Sequence, residues 1–92
     1  MHTILVYDTA TERNAAVLRT CRKYLHHIQN SVFEGQLSQA QLIRLRAELQ
    51  HHTNPNYDEI LVYTLPPGAQ PHRQTWGIDN HQPDDILEFS RW

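Results

Sequence analysis

Along this chain, apolar positions fall into strand-like and helix-like periods that follow one another twice. His2-Thr3-Ile4-Leu5-Val6-Tyr7 is short, β-branched and aromatic, and predicts a strand buried on both faces. Asp8 ends it. Thr9-Ala10-Thr11-Glu12 has the spacing of a capping box, with Thr9 as the cap and Glu12 three residues on. Val17, Leu18, Cys21, Tyr24 and Leu25 then share one helical stripe, which predicts a helix to about residue 25. Residues 27–37 predict one or two short strands, with Gly35 supplying a bulge or turn. Ser38-Gln39-Ala40-Gln41 is a second capping-box pattern, opening a helix whose Leu42, Leu45 and Leu49 face inward. The turn cluster Thr53-Asn54-Pro55-Asn56 stops that helix near His52. Asp58 through Leu65 predicts the last core strand, around Ile60-Leu61-Val62-Tyr63.

At Pro66-Pro67-Gly68 the composition changes. Residues 66–92 hold four of the five prolines and both tryptophans, with strand-like pieces at Gln74–Ile78 and Ile86–Phe89. The chain therefore divides into a core, 1–65, and a C-terminal extension, 66–92. The order is β-α-β(β)-α-β plus an extension, an α+β arrangement of the split βαβ or ferredoxin-like type. Two helices on one face of an antiparallel sheet leave the other face in need of cover. A second copy of the chain would supply it, so a homodimer is expected, with the extension adding a strand to its neighbour. Large aromatics such as Trp76 and Trp92 need something to pack on, whether the body or a partner.

Ninety-two residues make one domain and exclude an interdomain catalytic cleft. Hydrophobic residues at 39% and charged residues at 20% describe an ordinary globule rather than a disordered chain. One cysteine cannot form an internal disulfide, and no apolar run approaches a membrane span, which points to the cytoplasm and to no membrane role. The net charge of −2 is unevenly spread. Residues 1–57 carry six Lys+Arg against four Asp+Glu, whereas residues 58–92 carry two against six. Seven of the eight cations are arginines, suited to bidentate phosphate or carboxylate contacts.

Asp8, at the C-terminal end of a buried strand, is placed as a rigid hard-metal ligand; the plainer reading is a residue that turns the chain into the first helix. One carboxylate is few for Mg²⁺, and a two-fold axis bringing two Asp8 side chains together would repair the deficit. Arg19, Arg22 and Lys23 form a compact cationic patch opposite the apolar stripe, either a phosphate-binding surface or a solvated helical face. Arg13, in a first turn where the helix dipole disfavours it, is a candidate for work near Asp8. The pairs His26-His27 and His51-His52 are expected near helix C-termini, and their spacing is unlike that of a zinc pair. Cys21 reads as core.

Tyr7-Asp8 at the end of strand one, the segment Gln29-Asn30-Ser31-Val32-Phe33-Glu34-Gly35-Gln36-Leu37-Ser38 and the strand Ile60–Leu65 resemble one family over roughly residues 2–65. It is the small CRISPR-associated endoribonuclease family, the lesser of the two core spacer-acquisition proteins and partner of the CRISPR integrase. The resemblance implies a ferredoxin-like homodimer with the two Asp8 side chains near the two-fold axis, and a C-terminal strand, Gln74–Ile78, joining the partner's sheet. It implies Mg²⁺ or Mn²⁺ held by Asp8 as the catalytic ligand, with Arg13 and Arg19 on phosphate. Tyr7, Ser31 and Phe33 would support the metal rim or the dimer seam. It further implies protospacer duplex DNA, or single-stranded RNA, as the nucleic acid. Where the family often has a glycine and then basic residues after the tyrosine that ends helix one, Tyr24 is followed by Leu25-His26-His27, so charge there depends on histidine protonation.

Three functions follow. As a metal-dependent endonuclease, the dimer would cut RNA or DNA. As a non-catalytic scaffold, it would bridge integrase dimers, with Arg19, Arg22 and Lys23 tracking a duplex and Asp84, Asp85, Glu88, Phe89 and Trp92 docking the integrase. The third is a ferredoxin-like dimer of unrelated binding function.

Overall fold

Alternation along His2–Asp8 forms β1, with Thr3 and Leu5 buried on one face and Ile4 and Val6 half-buried on the other. The computed structural model describes residues 1–65 and 72–78. After β1 come a 3-10 turn over Thr11–Arg13, α1 (Asn14–Arg22), β2 (His26–Gln29), β3 (Val32–Gln36), α2 (Gln39–His52), β4 (Glu59–Leu65) and β5 (His72–Gly77). The five strands make one antiparallel sheet in the order β2-β3-β1-β4-β5. β1 lies in the middle, bonded to β3 on one side and β4 on the other. This is the ferredoxin-like order with one further strand on the β4 edge.

The core lies between sheet and helices. Val17, Cys21 and Leu25 from the first helical region and Leu42, Leu45 and Leu49 from α2 meet Leu5, Phe33, Ile60, Val62 and Trp76. Trp76, the register partner of Ile60, is fully buried, and its indole N–H donates to Gln74 Oε1 at 2.9 Å. The tryptophan of the extension thus packs on the body. The capping box of α2 forms as the sequence predicts: Gln41 N–H donates to Ser38 Oγ at 3.1 Å, and Ser38 N–H to Gln41 Oε1 at 2.8 Å.

Four local expectations change. Thr9 and Glu12 form no capping box: the Thr9 hydroxyl bonds Asn14 Oδ1 instead, and α1 starts only at Asn14. The reason is tertiary, because Asp58 takes the Ala10 N–H and the Arg13 guanidinium and holds this segment in another conformation. α1 ends at Arg22 rather than near residue 25, and Leu25 N–H still bonds Cys21 O at 2.9 Å while the chain turns toward β2. His26 and His27 consequently lie on the edge strand β2, just past the end of α1 rather than in its last turn. Gly35 is neither bulge nor turn. It sits inside β3, where an added Cβ would stand 3.1 Å from Leu25 Cδ2, so the missing side chain lets Leu25 close over the sheet. The turn is made by Asn30, in the left-handed region at φ 44°, and the register shift falls between His27 and Gln29.

β5 pairs with β4 of its own chain, Glu59 opposite Gly77 through Thr64 opposite His72. The resemblance implied this strand for a partner's sheet; in the single chain it closes the β4 edge. The Ile86–Phe89 piece, with Asp84, Asp85, Glu88, Phe89 and Trp92, lies outside the described residues.

Candidate nucleic-acid and metal site

The C-terminal end of β1 brings the candidate residues toward one rim. Asp8 is exposed there, its backbone paired with Glu59 of β4. Directly opposed residues share a face, so two carboxylates occupy neighbouring positions on the face away from the helices. Glu59 is buried to 8% exposure, whereas Asp8 is open to solvent. This neighbour depends on strand register, and a 51-residue separation gives no local hint of it in the sequence.

Tyr7 points to the helix side and is half-buried, its ring 6.1 Å from that of the fully buried Phe33. Its amide donates to Ser31 O at 3.1 Å, tying the end of β1 to the β2–β3 turn. Tyr7, Ser31 and Phe33 therefore form one structural group behind Asp8. Burial pushes the Tyr7 phenol up, Cys21 adds to this and Arg22 opposes it. On the far side of Phe33, the His27 ring stacks at 4.7 Å.

Arg13 is engaged by Asp58 in this arrangement. Its Nε donates to Asp58 Oδ2 and its Nη2 to Asp58 Oδ1 at 3.0 Å. Asp58 is 1% exposed and also accepts the Ala10 N–H at 2.9 Å and the Asn54 N–H at 2.8 Å. Burial alone would raise the Asp58 carboxyl, but Arg13 and the two amides outweigh it and hold it below the usual carboxylate range. Arg13 and Asp58 thus rivet the loop after Asp8 to the loop before β4. Asp58, which the apolar run predicts as the first residue of the strand, instead precedes β4 and closes the turn by accepting the Asn54 N–H. The turn-forming residues were the available signal.

The cationic patch on α1 is divided. Lys23 Nζ bonds Glu48 Oε1 of α2 at 2.6 Å, and the Tyr24 hydroxyl bonds the other oxygen of the same carboxylate. Lys23 and then Tyr24 hold Glu48 below its usual range. Arg19 and Arg22 are exposed and remain as the α1 cations open to phosphate. Cys21 is fully buried and its thiol is pushed up to about 12, which fits a core residue and excludes a thiolate nucleophile.

Asp8 supplies hard oxygen donors at an accessible rim, with Glu59 in register beside it. That chemistry suits a hydrated Mg²⁺ or Mn²⁺, which usually keeps several waters and uses one or two protein carboxylates. Among the described residues no group of three or more His, Cys, Asp or Glu gathers as a metal site. The other sheet face also bears half-buried Ile4, Val6, Val32, Leu61 and Tyr63. No helix among the described residues is long and apolar enough to cross a membrane.

The sheet order and this rim define a ferredoxin-like α+β protein with a carboxylate at the end of its central strand and arginines on its first helix. Residues 1–70 match the family described as CRISPR associated protein Cas2. A CRISPR-associated endoribonuclease Cas2 of Frankia alni is 46% identical over 87 residues, spanning 95% of this chain and 100% of the relative. The protein of the same name from Dictyoglomus turgidum is 37% identical with the same coverage. A crystal structure of a Cas2 superposes with a TM-score of 0.69 at 32% identity, covering 96% of this chain and 95% of that one. Streptococcus pyogenes Cas2 at pH 6.5 gives a TM-score of 0.66 at 28% identity, over 74% of this chain and 89% of that one. The chain belongs to the Cas2 family of CRISPR-associated proteins.

Proposed function

We propose that this protein acts in CRISPR adaptation as a homodimer joined through the sheet face opposite the helices, and that it is a metal-dependent endonuclease on RNA or DNA. The observation that carries the catalytic reading is Asp8: an exposed carboxylate at the end of a strand bonded on both sides, with Glu59 in register. Support comes also from the relatives named endoribonucleases. One protomer offers two neighbouring carboxylates, and a two-fold axis along the half-buried apolar face would add a second Asp8. Asp8, with Glu59 in register, would hold Mg²⁺ or Mn²⁺, which when bound polarises a phosphodiester and lowers the pKa of water. The chain's own groups do the rest. Tyr7, Ser31 and Phe33 fix the direction of Asp8, and Arg19 and Arg22 hold backbone phosphates away from the cut.

The same exposed Arg19 and Arg22, doubled by symmetry, favour a second reading, a scaffold that bridges integrase dimers along a protospacer duplex without turnover. Residues 80–92, with Phe89 and Trp92, are then the integrase-docking element, and truncation after Asp79 should abolish that complex while sparing the dimer. Cleavage of end-labelled single-stranded RNA and duplex DNA by wild type and Asp8→Asn, with Mg²⁺, Mn²⁺ or chelator, separates the two readings. Metal-dependent cleavage lost in the variant establishes the nuclease. Cleavage that survives the substitution, or none by wild type, removes Asp8 from catalysis and leaves the scaffold.

A further inference from the structure

The loop between α2 and β4 carries Tyr57, the most exposed of the large apolar or aromatic side chains among the described residues. It is 74% exposed, against 59% for Ile43 and 54% for Ile28. An open aromatic ring presents a usable binding face where its segment is ordered. This segment is not loose. Tyr57 N–H bonds Asn54 O at 3.1 Å, Asp58 N–H bonds the same oxygen at 2.8 Å, and Asn56 N–H bonds Asn54 Oδ1 at 2.9 Å. Asp58 then anchors the loop to Ala10 and Arg13, and Ile78 N–H closes on Asp58 O at 2.9 Å.

Position adds to exposure. Tyr57 precedes Glu59, the register partner of Asp8, by two residues, and Asp58 binds the loop that follows Asp8. Its neighbours Thr53, Asn54, Pro55 and Asn56 are uncharged, and the adjacent Asp58 is matched by Arg13. The loop residues beside the ring carry no fixed positive charge, so the ring face suits a neutral base better than a phosphate. Resting on the nucleic-acid reading above, we propose that Tyr57 is a stacking platform for an unpaired base of single-stranded nucleic acid, holding the strand so that a neighbouring phosphate lies at Asp8. Duplex bases are already stacked and gain nothing from it, so the residue would bias this rim toward single strands.

The test is equilibrium binding of the full chain to a labelled single-stranded RNA, the same RNA carrying abasic positions, and a duplex of the same sequence, with Ca²⁺ replacing Mg²⁺. Tyr57→Ala should weaken binding to the intact single strand by roughly 5- to 150-fold, the range for one base–aromatic stack. Tyr57→Phe and Tyr57→Trp should retain wild-type binding. On the abasic strand and the duplex, Tyr57→Ala should match wild type. Unchanged binding of the intact strand, an equal loss on all three ligands, or a loss in Tyr57→Phe would overturn the proposal. Tyr57-dependent binding without cleavage would sink the nuclease reading alone. Asp8-dependent cleavage with Tyr57-independent binding would sink the stacking proposal alone, and a wild type that binds no single strand would sink both.

Discussion

Replacing Asp58 with alanine removes the acceptor of four hydrogen bonds: two from Arg13 and one each from the amides of Ala10 and Asn54. The amides are partly buried, so water admitted by the substitution lowers their penalty to about 1 kcal/mol apiece. The charge-assisted contact with Arg13 contributes about 1.5–2 kcal/mol, since the guanidinium retains access to solvent. The sum is about 3–4 kcal/mol, or a fall in Tm of about 12–30 °C for a domain of this size. Urea unfolding followed by far-UV circular dichroism, at one fixed protomer concentration, measures it. The pH dependence has a definite sign. The folded Asp58 pKa is depressed, so its contribution is present above the unfolded value of about 3.9 and is lost as pH falls through the folded one. The gap between wild type and Asp58→Ala should therefore be flat from about pH 8 to pH 5 and narrow below about pH 4. A difference under about 1 kcal/mol at pH 7, or one that does not narrow in acid, would refute the rivet described for this pair.

Arg19→Ala combined with Arg22→Ala should flatten the slope of log K against log salt for duplex binding by about 1.8 per protomer, at about 0.9 per phosphate contact. Lys23→Ala should change that slope little, because Lys23 already pairs with Glu48. The Cys21 thiol, fully buried and pushed up to about 12, should stay unreactive toward a thiol reagent at pH 8 and become reactive on unfolding in urea. Gly35→Val should destabilise by about 1–3 kcal/mol in the same urea assay, because the space above it belongs to Leu25; a neutral result would show that Leu25 can move aside.

What the sequence revealed, and what it hid, divides along the range of the interactions. Leu42, Leu45 and Leu49 declare α2 because helical spacing is local, and Ser38 and Gln41 declare its start for the same reason. The Thr9–Glu12 pattern carried an equally good local signal and failed, since a carboxylate 48 residues from Ala10 captured that segment. Asp8 was legible from its place after an apolar run. Its neighbour Glu59 was not, because sheet register is decided by the whole fold. Arg13 stands out as a cation against the helix dipole, a real anomaly, and the partner that offsets it is Asp58, 45 residues on. Gly35 looked like punctuation, and only the packing of Leu25 shows why a side chain is unwelcome there.

The central position of β1 also determines how the Asp8 rim can fail. A strand at a sheet edge can peel away in a local opening that leaves the rest folded, and amide exchange there is correspondingly fast. β1 has neighbours on both sides, and Tyr7 and Asp8 are still engaged where it ends. The strand leading to the carboxylate, paired on both sides through Val6, should therefore exchange slowly, and its displacement should require the domain to open as a whole. Loss of the site on heating should coincide with global melting, with no preceding stage in which a folded protein has a loosened Asp8.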